Sequence, residues 1–398
     1  MNAGTYPAKN KHFHKRFYID DGMLWLKQII QSEKMKITAL FIASGTALWV
    51  GFLLLASARW HLRWSADSSA GIQRNHSRAT PRIGGIAILA GVIAGWAAVN
   101  GAQHTLLGHL LLAGLPAFAF GLAEDLSKRV SVRARFLATL SCGVFAYVFT
   151  GYSITDVQVP GLDWLLGFTL ISVAFTAFAV AGVANAINLI DGMNGLAGGT
   201  VIIMLCGLAL LAQSLGDPAL MQTCLLLGAA TGGFMLLNWP LGKLFLGDGG
   251  AYFLGFGVAW VCVLLLWRHP QVSAWAPLLV CCLPVLEVLF SIQRRRARGQ
   301  RIDAPDRLHL HSLVKRRLAR WLLPHGSRLQ RNSLTGAILC GTGLLPAAIA
   351  LYCYDSTPAL MLGLLLCAFL YRAAYARLTQ FRWCFWALVE RSMAEALA

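Results

Sequence analysis

Two adjacent acids, Glu124 and Asp125, with Lys128, Arg129, Arg133 and Arg135 close behind them, are the first residues along this chain whose types and spacing suit chemistry. Neighbouring carboxylates repel one another, so at a membrane surface they need a metal ion or a cationic partner, unless the four basic residues simply neutralise them. A denser group follows at Asn185, Asn188, Asp191 and Asn194, interleaved with Gly192, Gly195, Gly198 and Gly199. On a helix, Asn185, Asn188 and Asp191 share one face and offer amide and carboxylate oxygens to a hard cation or a polar ligand. A capped helix end explains one amide and one glycine, but not the whole set. Farther on, Lys243, Phe245 and Asp248 lie in the glycine-rich stretch that runs from Asn238 to Gly250. Asp248 reads either as a helix cap or as a second oxygen ligand for the same cation. Magnesium suits such a site because it uses few protein carboxylates and completes its shell with water and phosphate oxygens; Mn2+ is an admissible substitute.

Basic groups supply the complementary chemistry. His76 and Arg82 precede the pair Gly84-Gly85 and read as anion contacts or as a solvated anchor. Glu287, an acid in an apolar run, is followed by Arg294, Arg295, Arg296, Arg298 and Arg301, and then by His309 and His311. Guanidinium forks match phosphate oxygens two at a time, so this concentration reads as a pyrophosphate clamp as well as a topology signal. With no third ligand near in sequence, the two histidines suit phosphate contact or proton handling better than zinc.

The elements that must position these groups are membrane spans. Of 398 residues, 57% are hydrophobic and 13% charged, more apolar surface than a soluble domain of this length could hide, and mean hydropathy is +0.61. The expected architecture is an all-α polytopic membrane protein with about 11 transmembrane helices, at roughly 37–57, 83–100, 105–122, 136–152, 164–184, 199–215, 220–238, 250–267, 275–292, 335–353 and 358–376. Lys and Arg alternate between faces: five lie between the first two spans, four between the third and fourth and twelve between the ninth and tenth, against none in four of the intervening loops. The basic loops are therefore expected in the cytoplasm, and the carboxylate and amide clusters above fall in loops on that same face. This also accounts for the net charge of +17 without nucleic acid. Residues 1–36 form a basic N-terminal extension on the wrong side for that rule, which a translation start at Met35 would resolve; it does not read as a cleavable signal peptide. Residues 37–376 make the transmembrane domain and 377–398 a cytoplasmic tail. Nine of the ten cysteines lie in apolar segments and none forms a CxxC pair, so packing is expected rather than disulfides or zinc.

In unbroken order from about residue 58 to 317, these loops resemble the polyprenyl-phosphate N-acetylhexosamine-1-phosphate transferase family (glycosyltransferase family 4), which starts O-antigen, enterobacterial common antigen and teichoic acid synthesis and includes the peptidoglycan translocase. The resemblance implies Mg-dependent transfer of a sugar phosphate, N-acetylglucosamine 1-phosphate the first candidate, from a UDP-sugar to a polyprenyl phosphate. It implies a multi-pass protein of the bacterial inner membrane with a cytoplasmic site, catalytic Asp125, Glu124 and Asp248, and magnesium on Asn188 and Asp248. Phe245 and Asn194 would meet uracil, and Arg135 would stand where a lysine usually meets the lipid phosphate. Glu124 replaces the first Asp of the family's pair, Ala251 a serine after the Gly-Asp-x-Gly stretch, and Ser312 the last histidine of the His-x-His-His motif. Expected partners are the UDP-sugar, the lipid and the membrane, with a homodimer left open. Rival readings are a secondary transporter of an anionic solute, which should hold its polar groups near mid-membrane, and a scaffold for anionic lipid.

Overall fold

The computed structural model describes residues 37–66, 79–299 and 308–380. The N-terminal extension, His76, Arg301 and residues 381–398 lie outside the described residues. From Thr38 onward the described residues form one compact unit. Its described elements are helical: α1 (Ile37–Ala56), α2 (Ala58–Ser65), α3 (Gly84–Ala97), α4 (Gly101–Ser127), α5 (Val132–Thr150), α6 (Leu162–Leu166), α7 (Thr169–Ile190), α8 (Leu196–Ser214), α9 (Pro218–Asn238) and α10 (Gly247–Arg268). There follow α11 (Trp275–Val280), α12 (Cys282–Ala297), α13 (Leu310–Val314), a π-helical turn (Lys315–Ala319), α14 (Arg320–Leu322), α15 (Arg328–Gly341), α16 (Leu344–Tyr352) and α17 (Thr357–Thr379).

Among the described residues, nine helices are long and apolar enough to cross a membrane, counting Arg328–Tyr352 as one. Two expected spans differ from that reading. The stretch 83–100 holds only the 14-residue α3, and the stretch 275–292 is interrupted at Cys281 between α11 and α12. Pro284 explains the interruption: its ring excludes the carbonyl four residues back, at Val280, and it has no N–H to continue the ladder. Pro346 lies four residues after Thr342, where α15 gives way to α16.

Helix α10 is the centre of the bundle. Of its apolar window 94% is buried, against 22% for α1 and 28% for α17, and it packs on α4, α7, α3 and α8. A helix apolar all round is stable only if it is covered all round, and Phe253, Phe256 and Trp260 are fully enclosed. Lipid is left to the outer helices, where Phe41, Trp49 and Phe52 of α1 and Leu362, Leu365 and Phe369 of α17 are exposed.

The first turn of α10 is fixed by backbone meeting backbone. A Cβ added at Gly85 would lie 2.4 Å from Gly250 N, and one added at Gly121 2.6 Å from Gly249 Cα. Helices α3 and α4 therefore cross this turn closer than any side chain allows, the packing that small residues permit in a membrane.

Candidate active site

The end of α4, the start of α5, the end of α7 and the start of α10 meet, and the polar residues predicted on each converge there. Asp248, in the first turn of α10, is 7% exposed. Its carboxylate accepts hydrogen bonds from Arg82 Nη2 at 3.2 Å, from Asn188 Nδ2 at 3.1 Å and, in a very short contact, from Arg135 Nη1. Asp125 holds Asp248 from below. Its two carboxylate oxygens accept the backbone N–H groups of Asp248 and Gly249, each at 3.0 Å. The opening N–H groups of a helix have no partner within it, and the residue preceding α10 supplies no side-chain cap, so Asp125 caps α10 from another helix.

Asp191 completes the group just beyond the end of α7. Burial raises its carboxyl from the ordinary 3.8 to about 7; Arg82 pulls it down, while Asp248 and Asp125 push it up. Three carboxyl groups thus share two guanidinium groups, which leaves the pocket more carboxyl oxygens than the two cations can pair. Arg135 Nε is buried without a hydrogen-bond partner among the described residues, a donor suited to a further oxygen. Glu124 turns outward from Asp125 and accepts the N–H of Val130 at 2.8 Å, closing the α4–α5 turn while acting on Arg135 through its charge.

A second layer approaches from α12 and α13. Glu287 accepts Tyr371 Oη–H at 2.6 Å and Leu310 N–H at 3.2 Å, and lies 2.9 Å from His309 Nδ1. It therefore anchors the histidine segment instead of pairing with the arginines that follow it. The His309 and His311 rings stack at 5.3 Å, and His311 lies over Gly192: a Cβ there would be 2.6 Å from Nε2. His311 is thereby brought against Gly192, the residue that follows Asp191.

Several predicted residues do not join this cluster. Asn185 donates to Thr139 Oγ1 at 3.0 Å and Ala181 O at 2.8 Å, because its turn of α7 is packed on α5. Asn194 is 2% exposed and belongs to a buried lock: its N–H donates to Asn332 Oδ1 at 2.7 Å and its Nδ2 to Ser333 Oγ at 3.4 Å. Ser333 Oγ in turn donates to Pro240 O, and its carbonyl accepts Trp239 Nε1–H. Lys243 is exposed. Phe245 is half-buried, its backbone donating to Pro81 O and accepting from Gly84 N. Arg294 and Arg295 are buried, Arg294 with its guanidinium 5.4 Å from the Tyr375 ring, while Arg296 and Arg298 are exposed. Sequence reading missed Tyr371, Asn332 and Ser333. The Asn332-Ser333 pair lies in the polar first half of α15, beside Gln330 and Arg331, so its residue types did not single it out, and Tyr371 carried no signal either.

Among the described residues, no three His, Cys, Asp or Glu side chains form a ready metal cage. The donors at hand are Asp248, the Asn188 amide and the nearby Asp191. This oxygen set fits a magnesium ion that keeps water or phosphate oxygens in its remaining positions.

Residues 107–266, from α4 through most of α10, match the family model described as glycosyl transferase family 4. The chain is 29% identical over 284 residues to a probable undecaprenyl-phosphate N-acetylglucosaminyl 1-phosphate transferase of Bacillus subtilis (strain 168), covering 71% of this chain and 78% of that protein. It is 28% identical over 251 residues to the undecaprenyl-phosphate alpha-N-acetylglucosaminyl 1-phosphate transferase of Escherichia coli (strain K12), covering 61% and 67%. A phospho-N-acetylmuramoyl-pentapeptide-transferase of Geobacillus thermodenitrificans (strain NG80-2) is 29% identical over 245 residues, covering 58% and 74%.

Proposed function

From the premise that this chain belongs to glycosyl transferase family 4, we propose that it transfers N-acetylhexosamine 1-phosphate, with N-acetylglucosamine the first sugar to test, from a UDP-sugar to a polyprenyl phosphate at the cytoplasmic face of a bacterial inner membrane. The observation that carries this reading is the convergence on Asp248. Four separate helix ends bring one carboxylate, two guanidinium groups and an amide within hydrogen-bond distance, beside two further carboxylates. The names of the similar proteins supply the chemistry: a sugar 1-phosphate passed to undecaprenyl phosphate.

In this reaction an oxygen of the lipid phosphate forms a bond to the sugar-linked phosphorus of the UDP-sugar. The bond from that phosphorus to the bridging oxygen breaks, and UMP leaves with the electron pair. Arg82 and Arg135 exchange part of their contact with Asp248 for phosphate oxygens, whose geometry the guanidinium fork matches. The unmet Arg135 Nε supplies a further donor. Asp125 keeps Asp248 at a fixed height by holding its backbone, and His311, braced through His309 by Glu287, closes the side at Gly192. When bound by Asp248 and Asn188, magnesium supplies charge neutralisation for the phosphoryl oxygens. A site at the membrane interface suits a reaction with one water-soluble substrate and one that cannot leave the bilayer.

The test is UMP release by purified protein given UDP-N-acetylglucosamine, undecaprenyl phosphate and Mg2+. Release is expected only when all three are present. Release without the lipid would mean hydrolysis, and none with any UDP-sugar from a small panel would remove the transferase reading.

A further inference from the structure

After α1 the chain turns at Ser57 and enters α2, whose sequence is Ala-Arg-Trp-His-Leu-Arg-Trp-Ser. Its residues sort sharply by direction. Arg59, Trp60, Arg63 and Trp64 are exposed, the two tryptophans by 65% and 52%, while Ser65 is fully buried. His61 faces inward, 2.7 Å from Ser65 Oγ and 2.9 Å from Leu54 O. Residues four apart stack on one side of a helix, so the arginines form one edge of the exposed stripe and the tryptophans the other. Each guanidinium lies over the next indole, Arg59 4.5 Å from the Trp60 ring and Arg63 3.9 Å from the Trp64 ring.

Two exposed indoles are costly in water and favoured at the boundary between headgroups and acyl chains. Two arginines beside them, with no acidic residue anywhere from 37 to 66, favour an anionic surface. The stripe also continues a lipid-facing element, since Trp49, Phe52 and Leu53 of α1 are exposed just before the turn.

We propose that α2 is an interfacial binding site for anionic phospholipid headgroups of the bulk bilayer. Arg59 and Arg63 hold the lipid phosphates, and Trp60 and Trp64 lie at the acyl boundary. The inward side of α2 leads to the candidate active site. Ser65 O accepts the N–H of Arg82 at 2.8 Å, and Ala66 bridges to Pro81, so lipid gripping α2 fixes the height of Arg82 against the membrane.

The test is local and needs neither sugar nucleotide nor polyprenyl phosphate, so it is independent of the proposed reaction. Hydrogen exchange of peptides covering residues 57–66 is compared in nanodiscs of phosphatidylcholine and of an equal mixture with phosphatidylglycerol. The anionic lipid is expected to slow exchange by about thirtyfold at low salt, given an attraction of about 1 kcal/mol for each of the two arginines near such a surface, and high salt should reverse it. Arg59→Gln with Arg63→Gln should abolish the response, whereas Lys at both positions should keep most of it and so separates charge from folding. A wild-type helix indifferent to phosphatidylglycerol, or a double Gln variant that responds as wild type does, would overturn the proposal.

Discussion

At its first turn α10 presents Asp248 to Arg82 and Arg135; at its last, Arg268 and the following His269 close on Asp217, in the turn before α9. At that far end Asp217 accepts Arg268 Nε at 2.5 Å and Nη2 at 3.0 Å, lies 3.1 Å from His269 Nε2, and caps α9 by accepting Leu220 N–H at 3.0 Å. Both ends thus place one buried aspartate between two basic side chains. The far end is closed: a single carboxylate meets its donors and its helix cap. At the near end three carboxyl groups share two guanidiniums, and among the described residues Arg135 Nε has no acceptor. Residue type does not separate a brace from a reaction site, whereas an imbalance of acceptors and donors does.

The most direct attempt to break this contrast is to neutralise each aspartate in turn. Asp248→Asn should lower transferase turnover by about a thousandfold, the upper range for loss of one electrostatic group in a transition state, while the melting temperature in detergent changes little. Asp217→Asn should do the reverse. It should cost about 2 kcal/mol, between the exposed and buried extremes for ion pairs, and leave turnover per folded molecule unchanged. Comparable turnover losses in both variants would erase the distinction.

A smaller effect is expected from Arg135→Lys, which keeps the charge but not the fork. We expect a fall in kcat/KM of about tenfold to a hundredfold in steady-state assays. Arg268→Lys, its counterpart at the far end, should alter melting only.

The two ends should also titrate with opposite sign. Folded Asp191 keeps its proton to about pH 7 and the unfolded chain only to about 3.8, so the folded state binds more protons between those values. This contribution is complete below 3.8 and lost as pH rises toward 7; Asp191→Asn should flatten that part of a melting curve taken against pH without added metal. For Asp217, burial raises the carboxyl, but the hydrogen bonds from Arg268, Leu220 N–H and His269 outweigh it and lower the pKa. Its contribution is present above 3.8 and lost as pH falls below it. The smallest change is expected from Glu124→Gln, which keeps an acceptor for Val130 N–H and should reduce turnover only about twofold to fivefold through the lost charge near Arg135.

Much of the near end was legible in the sequence because polar residues are conspicuous in apolar surroundings. Asp125, Arg135, Asn188 and Asp248 stood out at the ends of apolar runs, and each lies in the cluster. Periodicity could not choose between Asn185 and Asn188: both fall on the same stripe of α7, but packing against α5 claims the first for Thr139. Nor could it tell that Asn194, in the same glycine-rich stretch, is locked to α15 through Asn332, a partner far along the chain. The far brace was invisible for the same reason, since Asp217 and Arg268 are joined only by the folding of α9 and α10 into an antiparallel pair. Span positions followed from hydropathy, whereas the breaks near Pro284 and Pro346 required attention to the backbone.

The crossing of Gly85 and Gly121 over Gly249 and Gly250 has a consequence for how this protein can vary. Because main chain rests on main chain there, the spacing of these helices beside the charged centre is set by backbone and not by lipid-facing side chains. The lipid-facing surfaces are free to accumulate substitutions suited to bilayers of different thickness while the charged centre stays in register. One added methyl at Gly85 would undo that independence, since α10 itself would have to move.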